Sequence, residues 1–360
     1  MLSVRKELPP LSKDQVLPLQ NYTQNAGPHR LDHLWNAGQH QPAPSDQDPD
    51  TSPREPLLFF DIETTGLSRD RSMVYLIGCI VLDGGRRTLR QWMAENGEEE
   101  RDILREFVSF AAPYSHVLHY NGKHFDIPFL EYRLLKHGLD SPFPGKYSTD
   151  LYQELRPCKA LLQLEHLHQP DVEAFLDRNR TRLHCDGGEC IPLYRKYRKC
   201  PSEALSVPLL GHNAEDLEGL TQLIPALSYP AFLRGRFHIE KCWAAEDTFH
   251  CICELDAPVP VPVTFAGSDA AISLKDHRAD FSVPLSDQRL RFRHEDYRDY
   301  VYLPEEDAVI PKAMRSFVPP SQRIPATREN CYTWFPCSED FLDDPEEVYR
   351  YLSRQLPLWV

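Results

Sequence analysis

A run of four large apolar residues that ends in an acidic pair constrains this chain more than any other feature. Leu57–Phe60 is followed directly by Asp61, Ile62 and Glu63. A short, continuous apolar run predicts a strand that is buried on both faces, in the middle of a sheet covered by helices. Because side chains alternate along a strand, Asp61 and Glu63 point to the same face. We therefore expect an α/β domain with two carboxylates at the end of a central strand.

The residues that follow alternate between strand and helix patterns. Strand patterns recur in three stretches: 57–63, 74–94 (two strands joined by an Asp-Gly-Gly turn) and 116–119. Apolar residues at helical spacing occur in three others: 98–111, 125–137 and 215–227, the last kinked or ended by Pro225. Alternation of this kind predicts an α/β domain, which we expect to span residues 56–229.

The two ends of the chain differ from this domain in composition. Residues 1–55 hold eight prolines and many Gln, Asn, Asp and Ser, which predicts a poorly ordered segment. Residues 230–335 are rich in β-branched and aromatic residues in short runs, and they predict a smaller β-rich accessory domain. Residues 336–360 predict an acidic, weakly helical tail.

Composition and charge exclude several classes of protein. A hydrophobic share of 41% and a charged share of 26% exclude a wholly disordered chain, a collagen and a coiled coil. No apolar run approaches the ~18 residues of a transmembrane helix, and no secretory signal is visible, so we expect a cytoplasmic protein with reduced cysteines. The net charge of −14 disfavours nucleic-acid binding over the whole surface but allows local basic patches.

The acidic pair on the first strand suggests metal chemistry. Two buried carboxylates that lie close together repel each other, and burying each one costs several kcal/mol. A divalent cation such as Mg²⁺ or Mn²⁺ removes this penalty, because hard oxygen ligands suit both ions. Taken alone, however, an Asp-x-Glu pair is more often an acid pair in solvent than a metal site.

Two further segments carry polar side chains at suggestive positions. The segment HYNGKHFD places Asn121 in a turn after a strand and Asp126 in the first turn of a helix. The segment LLGHNAEDL places His212 four residues before Asp216, so both lie on one helix face. Asp126 alone is also explained as an acid that complements a helix dipole. His212 and Asp216 alone are also explained as a surface pair. The conjunction of all three segments favours one shared site.

Together the three segments resemble the motifs of the DEDD-type (DnaQ-like) 3′-5′ exonuclease superfamily. These motifs are D-x-E on the first strand, N-x-x-x-F-D in the middle, and a His or Tyr shortly before a final Asp. Further segments such as STDLYQELRPC and HNAEDLEGL are similar to YprB-type ribonuclease H-like bacterial proteins. The resemblance implies an α/β, ribonuclease H-like mixed sheet flanked by helices, followed by a smaller β-rich domain. One spacing departs from the pattern, since His212 stands four residues before Asp216, where the Tyr-type branch has its Tyr.

The resemblance also implies an activity. It is the metal-dependent 3′-5′ hydrolysis of phosphodiester bonds in single-stranded or frayed DNA, in DNA repair, with a helicase as a possible partner. Two divalent cations, Mg²⁺ or Mn²⁺, take part. Asp61 would bridge both ions, while Glu63 and Asp216 would hold the ion that binds the attacking water. Asp126 would hold the second ion, and His212 would deprotonate the water.

Substrate contacts are implied near the first two motifs. Backbone N–H groups of Thr65 and Gly66 would meet the terminal nucleotide, and Leu67 would wedge between the last two bases. Asn121 would bond to a sugar or phosphate. Leu67 is explained equally well as an ordinary core leucine.

A basic stretch is the predicted path of the nucleic-acid strand. Residues 178–199 hold seven Lys or Arg and two acids, with Tyr194 and Tyr197 among them. A solvated charged helix face explains the same stretch equally well.

Two other functions stay open at this point. One is an RNA 3′-5′ exonuclease, because the same site cuts both polymers and only contacts with the 2′-hydroxyl distinguish them. The other is a catalytically inactive nucleic-acid-binding subunit, which the presence of all four carboxylates disfavours.

Overall fold

The computed structural model describes residues 1–23, 29–30, 56–178 and 187–360. The chain divides into two compact units. Unit 1 comprises Met1–Arg156 and Leu164–Leu227, and unit 2 comprises Pro157–Gln163 and Ser228–Val360. None of the helices in the described ranges is both long enough and apolar enough to cross a membrane.

Unit 1 combines one sheet with flanking helices. Its described strands are β1 (Leu2–Leu8), β2 (His29–Arg30), β3 (Leu57–Thr64), β4 (Val74–Asp83), β5 (Arg86–Met93), β6 (His116–His119) and β7 (Tyr147–Asp150). Its described helices are α1 (Lys13–Thr23), α2 (Glu100–Ala111), α3 (Asp126–Lys136), α4 (Leu151–Leu155), α5 (Gln169–Phe175), α6 (Gly187–Lys199) and α7 (Glu203–Gln222). A 3-10 turn over Ile224–Leu227 follows α7.

The sheet is mixed, and the acid-bearing strand β3 lies at its centre. The strand order is β1-β5-β4-β3-β6-β7-β2. Strand β3 is antiparallel to β4 and parallel to β6. All four residues of Leu57–Phe60 are buried. The predicted mixed sheet flanked by helices, followed by a separate β-rich region, is therefore confirmed.

Helices cover both faces of this sheet. Helices α2 and α3 pack on the face that includes Ile77 and Cys79 of β4. Helices α6 and α7 pack on the opposite face, where Leu76 belongs to their core. The alternation of side chains along β4 separates these two layers, so the central strand is enclosed as its apolar sequence predicts.

The prediction of a poorly ordered segment over residues 1–55 is wrong for residues 1–23. Strand β1 pairs with β5 along its full length, from Leu2 opposite Met93 to Leu8 opposite Arg87. The guanidinium of Arg87 donates to the Pro9 carbonyl at 2.8 Å. The averaged composition concealed this strand, because the prolines and polar residues that dominate the segment lie mostly beyond it. Residues 24–28 and 31–55 of the predicted segment lie outside the described residues.

Helix α7 is longer than the predicted helix over 215–227, and it begins at Glu203. Pro208 and Gly211 weaken the local helical signal before residue 215. Leu209 and Asn213 are nevertheless fully buried. Tertiary packing therefore outweighs local propensity in the first half of this helix.

Unit 2 is rich in antiparallel strands. Its strands are β8 (Phe237–Ala245), β9 (Thr248–Ala266), β10 (Ala271–Pro284), β11 (Arg289–Arg293), β12 (Tyr300–Leu303), β13 (Ala308–Pro311), β14 (Ile324–Pro325) and β15 (Tyr332–Pro336). They form three sheets with the orders β10-β9-β8, β11-β15 and β13-β12-β14. Its helices are α8 (Ser228–Leu233), α9 (Glu339–Leu342) and α10 (Pro345–Trp359).

The C-terminal residues form part of unit 2, which corrects the prediction of a weakly helical tail over 336–360. Helix α10 buries Val348, Leu352 and Leu356 along one face. Asp344 caps the helix by accepting hydrogen bonds from the N–H groups of Glu346 and Glu347. The acidic residues that suggested a tail therefore lie at the helix N-terminus, while the apolar residues that follow them face the core.

Candidate active site

The two acids of the first motif lie on β3, next to a glycine in the neighbouring strand. Asp61 is opposite Gly78 of β4, and Glu63 is opposite Leu76. Burial, followed by the nearby carboxylates of Asp126, Asp216 and Glu63, raises the pKa of Asp61 well above its usual range. Burial and the charge of Asp216 likewise raise the pKa of Glu63 to about 8.

Asp126 reaches the same point from the start of α3. Its Oδ1 accepts a hydrogen bond from the backbone N–H of Ile62 at 3.2 Å, between the two acids of β3. Burial raises the pKa of Asp126 to about 7, with smaller contributions from the charges of Asp150 and Asp216. The backbone of β3 therefore holds this third carboxylate beside the other two.

Asp150, at the end of β7, fixes the turn that precedes α3. Its Oδ1 accepts from the N–H of Asn121 at 2.7 Å, and its Oδ2 accepts from the N–H of Lys123 at 3.2 Å. Asn121 has a positive φ of 56°, a conformation that Asn tolerates better than most residues. Sequence reasoning missed Asp150, although an acid that ends a strand in STD offered a signal like that of Asp61.

Helix α7 supplies the remaining two predicted residues. The Nε2 of His212 lies 3.4 Å from Glu63 Oε1 and 3.4 Å from Asp216 Oδ2. One ligand atom from each of these three residues falls within 4.8 Å of the others, so the group has the dimensions of a metal site. His212 and Asp216 share one face of α7, and this face contacts β3 at Glu63.

A close approach of α7 to the sheet brings these side chains together. A Cβ atom on Gly78 would lie 1.9 Å from Asn213 Oδ1, so only glycine leaves room for the helix there. The fully buried Asn213 donates through Nδ2 to Asp61 Oδ2 at 2.8 Å. The side-chain amide of Gln91 donates to Asn213 Oδ1 at 2.8 Å, which fixes the orientation of the Asn213 amide.

Gln91, Asn213 and Gly78 are functional residues that sequence reasoning missed. Asn213 follows His212 directly in the third motif, and this adjacency was the signal in the sequence that could have indicated its role. Gln91 and Gly78 carry no local signal, because their roles depend on the packing of one helix on two strands.

The predicted substrate residues Thr65, Gly66 and Leu67 lie directly after β3. Leu67 is 84% exposed, so it is not a core leucine. The Thr65 N–H donates to the Met73 carbonyl at 3.0 Å and is therefore not available to a nucleotide, which corrects that part of the prediction. Asn121 is exposed at the neighbouring turn.

The loop that carries these residues is tied to α2 and α3 by buried charges. Glu100 Oε1 accepts from the N–H of Val74 at 2.8 Å and from Arg133 Nε at 2.7 Å. The same guanidinium donates to the Arg69 carbonyl at 3.2 Å. The loop therefore has a defined conformation beside Asp126.

The predicted basic strand path over 178–199 is described only in part, because residues 179–186 lie outside the described ranges. Arg195, Lys196, Arg198 and Lys199 are exposed on α6. Tyr194 and Tyr197 are buried, however, and Tyr194 stacks on Tyr75 with ring centroids 3.9 Å apart. Both tyrosines therefore belong to the core. We expected them to alternate with the basic side chains on the surface, and the structure places them inside instead.

The donor set fits divalent cations. Among the described residues, no Lys or Arg forms an ion pair with Asp61, Glu63 or Asp126. Their pKa values are raised chiefly because the three carboxyls are buried and lie near other carboxylates. Carboxylate oxygens in this arrangement are the ligands that Mg²⁺ and Mn²⁺ prefer.

Comparison with known proteins agrees with the fold. Residues 58–228 match the model of the RNase_H_2 family, in the RNase H superfamily. No curated protein matches the chain. A solved structure that is similar is the family B DNA polymerase from the hyperthermophilic archaeon Pyrobaculum calidifontis. The likeness covers 49% of this chain and 25% of that chain, with 18% sequence identity and a TM-score of 0.40.

The chain spans about a quarter of the length of that polymerase. Residues 58–228 form a ribonuclease H-like domain.

Proposed function

We propose that this protein is a DEDD-type, metal-dependent 3′-5′ exonuclease that hydrolyses single-stranded or frayed DNA. The observation that carries the proposal is the meeting of four carboxylates from three distant segments. Asp61 is influenced by the charges of Asp126, Asp216 and Glu63 together, which requires all four to lie near one another. Such a cluster is costly to bury unless a ligand compensates it.

Divalent cations are the ligand that this donor set suits. Asp61, Glu63, Asp126 and Asp216 would hold two Mg²⁺ or Mn²⁺ ions. When bound, such ions activate a water molecule and stabilise the charge that develops on phosphate and leaving oxygens.

His212 is the proposed proton acceptor. Its Nε2 lies 3.4 Å from carboxylate oxygens of both Glu63 and Asp216, which are the proposed ligands nearest the attacking water. An imidazole nitrogen can act as a general base toward a water molecule within hydrogen-bonding reach. The i, i+4 spacing on α7 is compatible with this role, because the helix face points toward β3.

Asn213 and Gln91 act as positioning residues. The Asn213 amide donates a hydrogen bond to Oδ2 of Asp61, and the hydrogen bond from Gln91 holds that amide in one orientation. Together they hold the Asp61 carboxylate in one orientation. A rigid carboxylate loses less entropy when it binds a cation.

The polarity of digestion, the preference for DNA, the repair setting and a helicase partner are proposed from the resemblance to DEDD-type and YprB-type proteins. RNA remains the main competing substrate, because no contact to a 2′-hydroxyl is identified.

Digestion of end-labelled oligomers tests the proposal. Single-stranded DNA and RNA, labelled at the 3′ or the 5′ end, are incubated with Mg²⁺, Mn²⁺ or EDTA. We expect a ladder of shortened products from 5′-labelled DNA and immediate release of a labelled mononucleotide from 3′-labelled DNA, with either metal but not with EDTA. Faster digestion of RNA would reassign the substrate. Tight DNA binding without cleavage in either metal would support a binding subunit and contradict the proposal.

A further inference from the structure

One stretch of unit 2 is basic although acidic residues flank it, at positions 305–307 before it and at Glu329 after it. Residues 308–328, here the 308–328 segment, contain four Lys or Arg and no Asp or Glu. The whole chain, in contrast, carries a net charge of −14. A local concentration of positive charge on an acidic protein favours a specific polyanionic partner over nonspecific attraction.

Three of the four basic side chains of this segment form no ion pair with another described residue, unlike arginines elsewhere in unit 2. Arg278 pairs with Asp280, and Arg291 and Arg293 both pair with Asp269. None of the ion pairs among the described residues includes Lys312, Arg315 or Arg323. Their positive charge is therefore available to a ligand, whereas that of the paired arginines is compensated within the fold.

Exposed apolar side chains lie between these cations. Phe317 is 81% exposed, Met314 is 49% exposed and Ile324 is 48% exposed. Lys312–Phe317 forms a 3-10 helix with no buried residues. Because residues three apart are aligned in a 3-10 helix, Met314 and Phe317 share one face, and Lys312 and Arg315 share another.

The segment is anchored at both ends, although its middle is exposed. At its start, strand β13 pairs with β12, from Tyr300 opposite Pro311 to Leu303 opposite Ala308. Strand β14 returns the chain to β12, and Ala326 is buried beside Val309. The exposed side chains therefore project from a defined backbone, which lowers the entropy that a ligand must overcome.

We propose that the 308–328 segment binds single-stranded nucleic acid, with Phe317 stacked on a base and Lys312 and Arg315 bound to phosphates. This combination of an aromatic platform with unpaired cations is the composition that single-stranded nucleic acid requires. Single-stranded nucleic acid is a polyanion whose bases have exposed apolar faces. Its phosphates match the cations of the segment, and its bases match the aromatic ring. The inference deepens the proposed function, since it rests on a nucleic-acid substrate, and it assigns unit 2 a part in holding that substrate.

Binding measured without cleavage tests this inference. The full chain is titrated in EDTA with a fluorescently labelled single-stranded DNA oligomer, and anisotropy is recorded at several salt concentrations. Phe317→Ala should weaken binding by about 5- to 150-fold, the range expected for loss of one stacked base. Lys312→Ala and Arg315→Ala should each reduce the slope of log affinity against log salt by about 0.7.

Matched variants separate stacking and phosphate contact from general effects. Phe317→Tyr should keep wild-type affinity, whereas Phe317→Leu should lose it, because leucine keeps the apolar surface but cannot stack. Arg278→Ala, which removes an exposed but paired cation, should leave both affinity and salt slope unchanged. Equal affinity of Phe317→Leu and the wild type would indicate apolar docking of another partner, and this result would overturn the inference.

The outcome is distinguishable from a failure of the proposed function. If the wild type binds DNA through this segment but cuts nothing with metal, the inference stands and the nuclease proposal fails. If Phe317→Ala and Arg315→Ala bind DNA as the wild type does while cleavage is intact, the nuclease proposal stands and the inference is wrong.

Discussion

At the scale of single residues, the candidate site is a cluster of buried carboxyls that lie close to one another. Asp61, Glu63 and Asp126 all have raised pKa values, chiefly because they are buried. His212 is the basic side chain between Glu63 and Asp216. Removing or protonating these groups should therefore affect stability and activity in opposite directions.

Asp61→Asn is expected to abolish cleavage and to raise the melting temperature of the metal-free protein. The substitution removes a proposed metal ligand together with a buried charge that is repelled by three neighbours. Cleavage of labelled DNA and thermal unfolding in EDTA measure the two effects. The exposed Asp287→Asn serves as the control and should change neither. Retained cleavage with Mn²⁺ would contradict the role of Asp61.

Glu63 and Asp126 should make the stability of the metal-free protein fall as the pH rises from about 4 to about 8. The pKa of Glu63 is about 8 and that of Asp126 about 7 in the folded chain, against 4.5 and 3.8 as ordinary values. Between these limits each of the two carboxyls binds more protons in the folded than in the unfolded state, so their contribution favours unfolding as the pH rises. Burial lowers the pKa of His116 and of His119 to about 4, so these two groups act in the opposite direction below pH ~6.5. Thermal unfolding in EDTA across this range measures the slope, which Glu63→Gln and Asp126→Asn should each reduce. An unchanged slope in both variants would be inconsistent with this account.

His212→Ala should lower the turnover number by ~10²–10⁴ if the imidazole accepts the proton of the attacking water. The loss should shrink as the pH rises, because hydroxide then replaces the base. The pH profile of turnover for the wild type and the variant measures this. A loss below tenfold at neutral pH would indicate that a group other than His212 accepts the proton of the attacking water.

At the scale of elements, the site depends on how closely α7 approaches the sheet. Gly78 in β4 leaves space for Asn213, which in turn contacts Asp61 on β3. The turn before α3 is set by Asp150 on β7. The four carboxylates therefore come from three elements, β3, α3 and α7, and the contacts between these elements determine the geometry.

Gly78→Ala should lower both stability and turnover. The new methyl group would lie 1.9 Å from Asn213 Oδ1 and must displace α7 or β4. Overpacking of this kind costs ~1–3 kcal/mol in unfolding free energy, measured by urea denaturation. Gly97→Ala is the matched control, because its Cβ would be 3.4 Å from the end of the flexible Arg198 side chain. Wild-type turnover in Gly78→Ala would contradict the role of this close approach.

At the scale of the whole molecule, the N-terminal residues belong to the sheet of unit 1. Strand β1 covers the edge of β5. Leu8, the last residue of β1, and Leu11, which lies beyond the strand, are both buried. An uncovered edge strand is a template for pairing with other chains.

Deletion of residues 1–11 should therefore lower the melting temperature and promote aggregation. The deletion exposes the edge of β5 and removes the Pro9 carbonyl that accepts from Arg87. Thermal unfolding and light scattering measure the two effects, with Arg5→Ala as a control that keeps the strand. A deletion variant as stable and monodisperse as the wild type would indicate that β1 is dispensable.

The sequence by itself was sufficient to predict the central strand, the helices α2 and α3, and the candidate acids and histidine. These features are local: a continuous apolar run, a helical period and short motifs each report on a few neighbouring residues. It also indicated the β-rich character of unit 2, from the density of β-branched and aromatic side chains.

Only the tertiary structure decided the features that depend on distant partners. The pairing of β1 with β5, the full length of α7 and the packing of α10 each arise from contacts between segments far apart in the chain. The same is true of Gly78, Gln91 and Asn213, whose roles exist only where a helix meets two strands. Composition averages over a segment and spacing describes one element, whereas these features follow from burial and hydrogen bonds between elements.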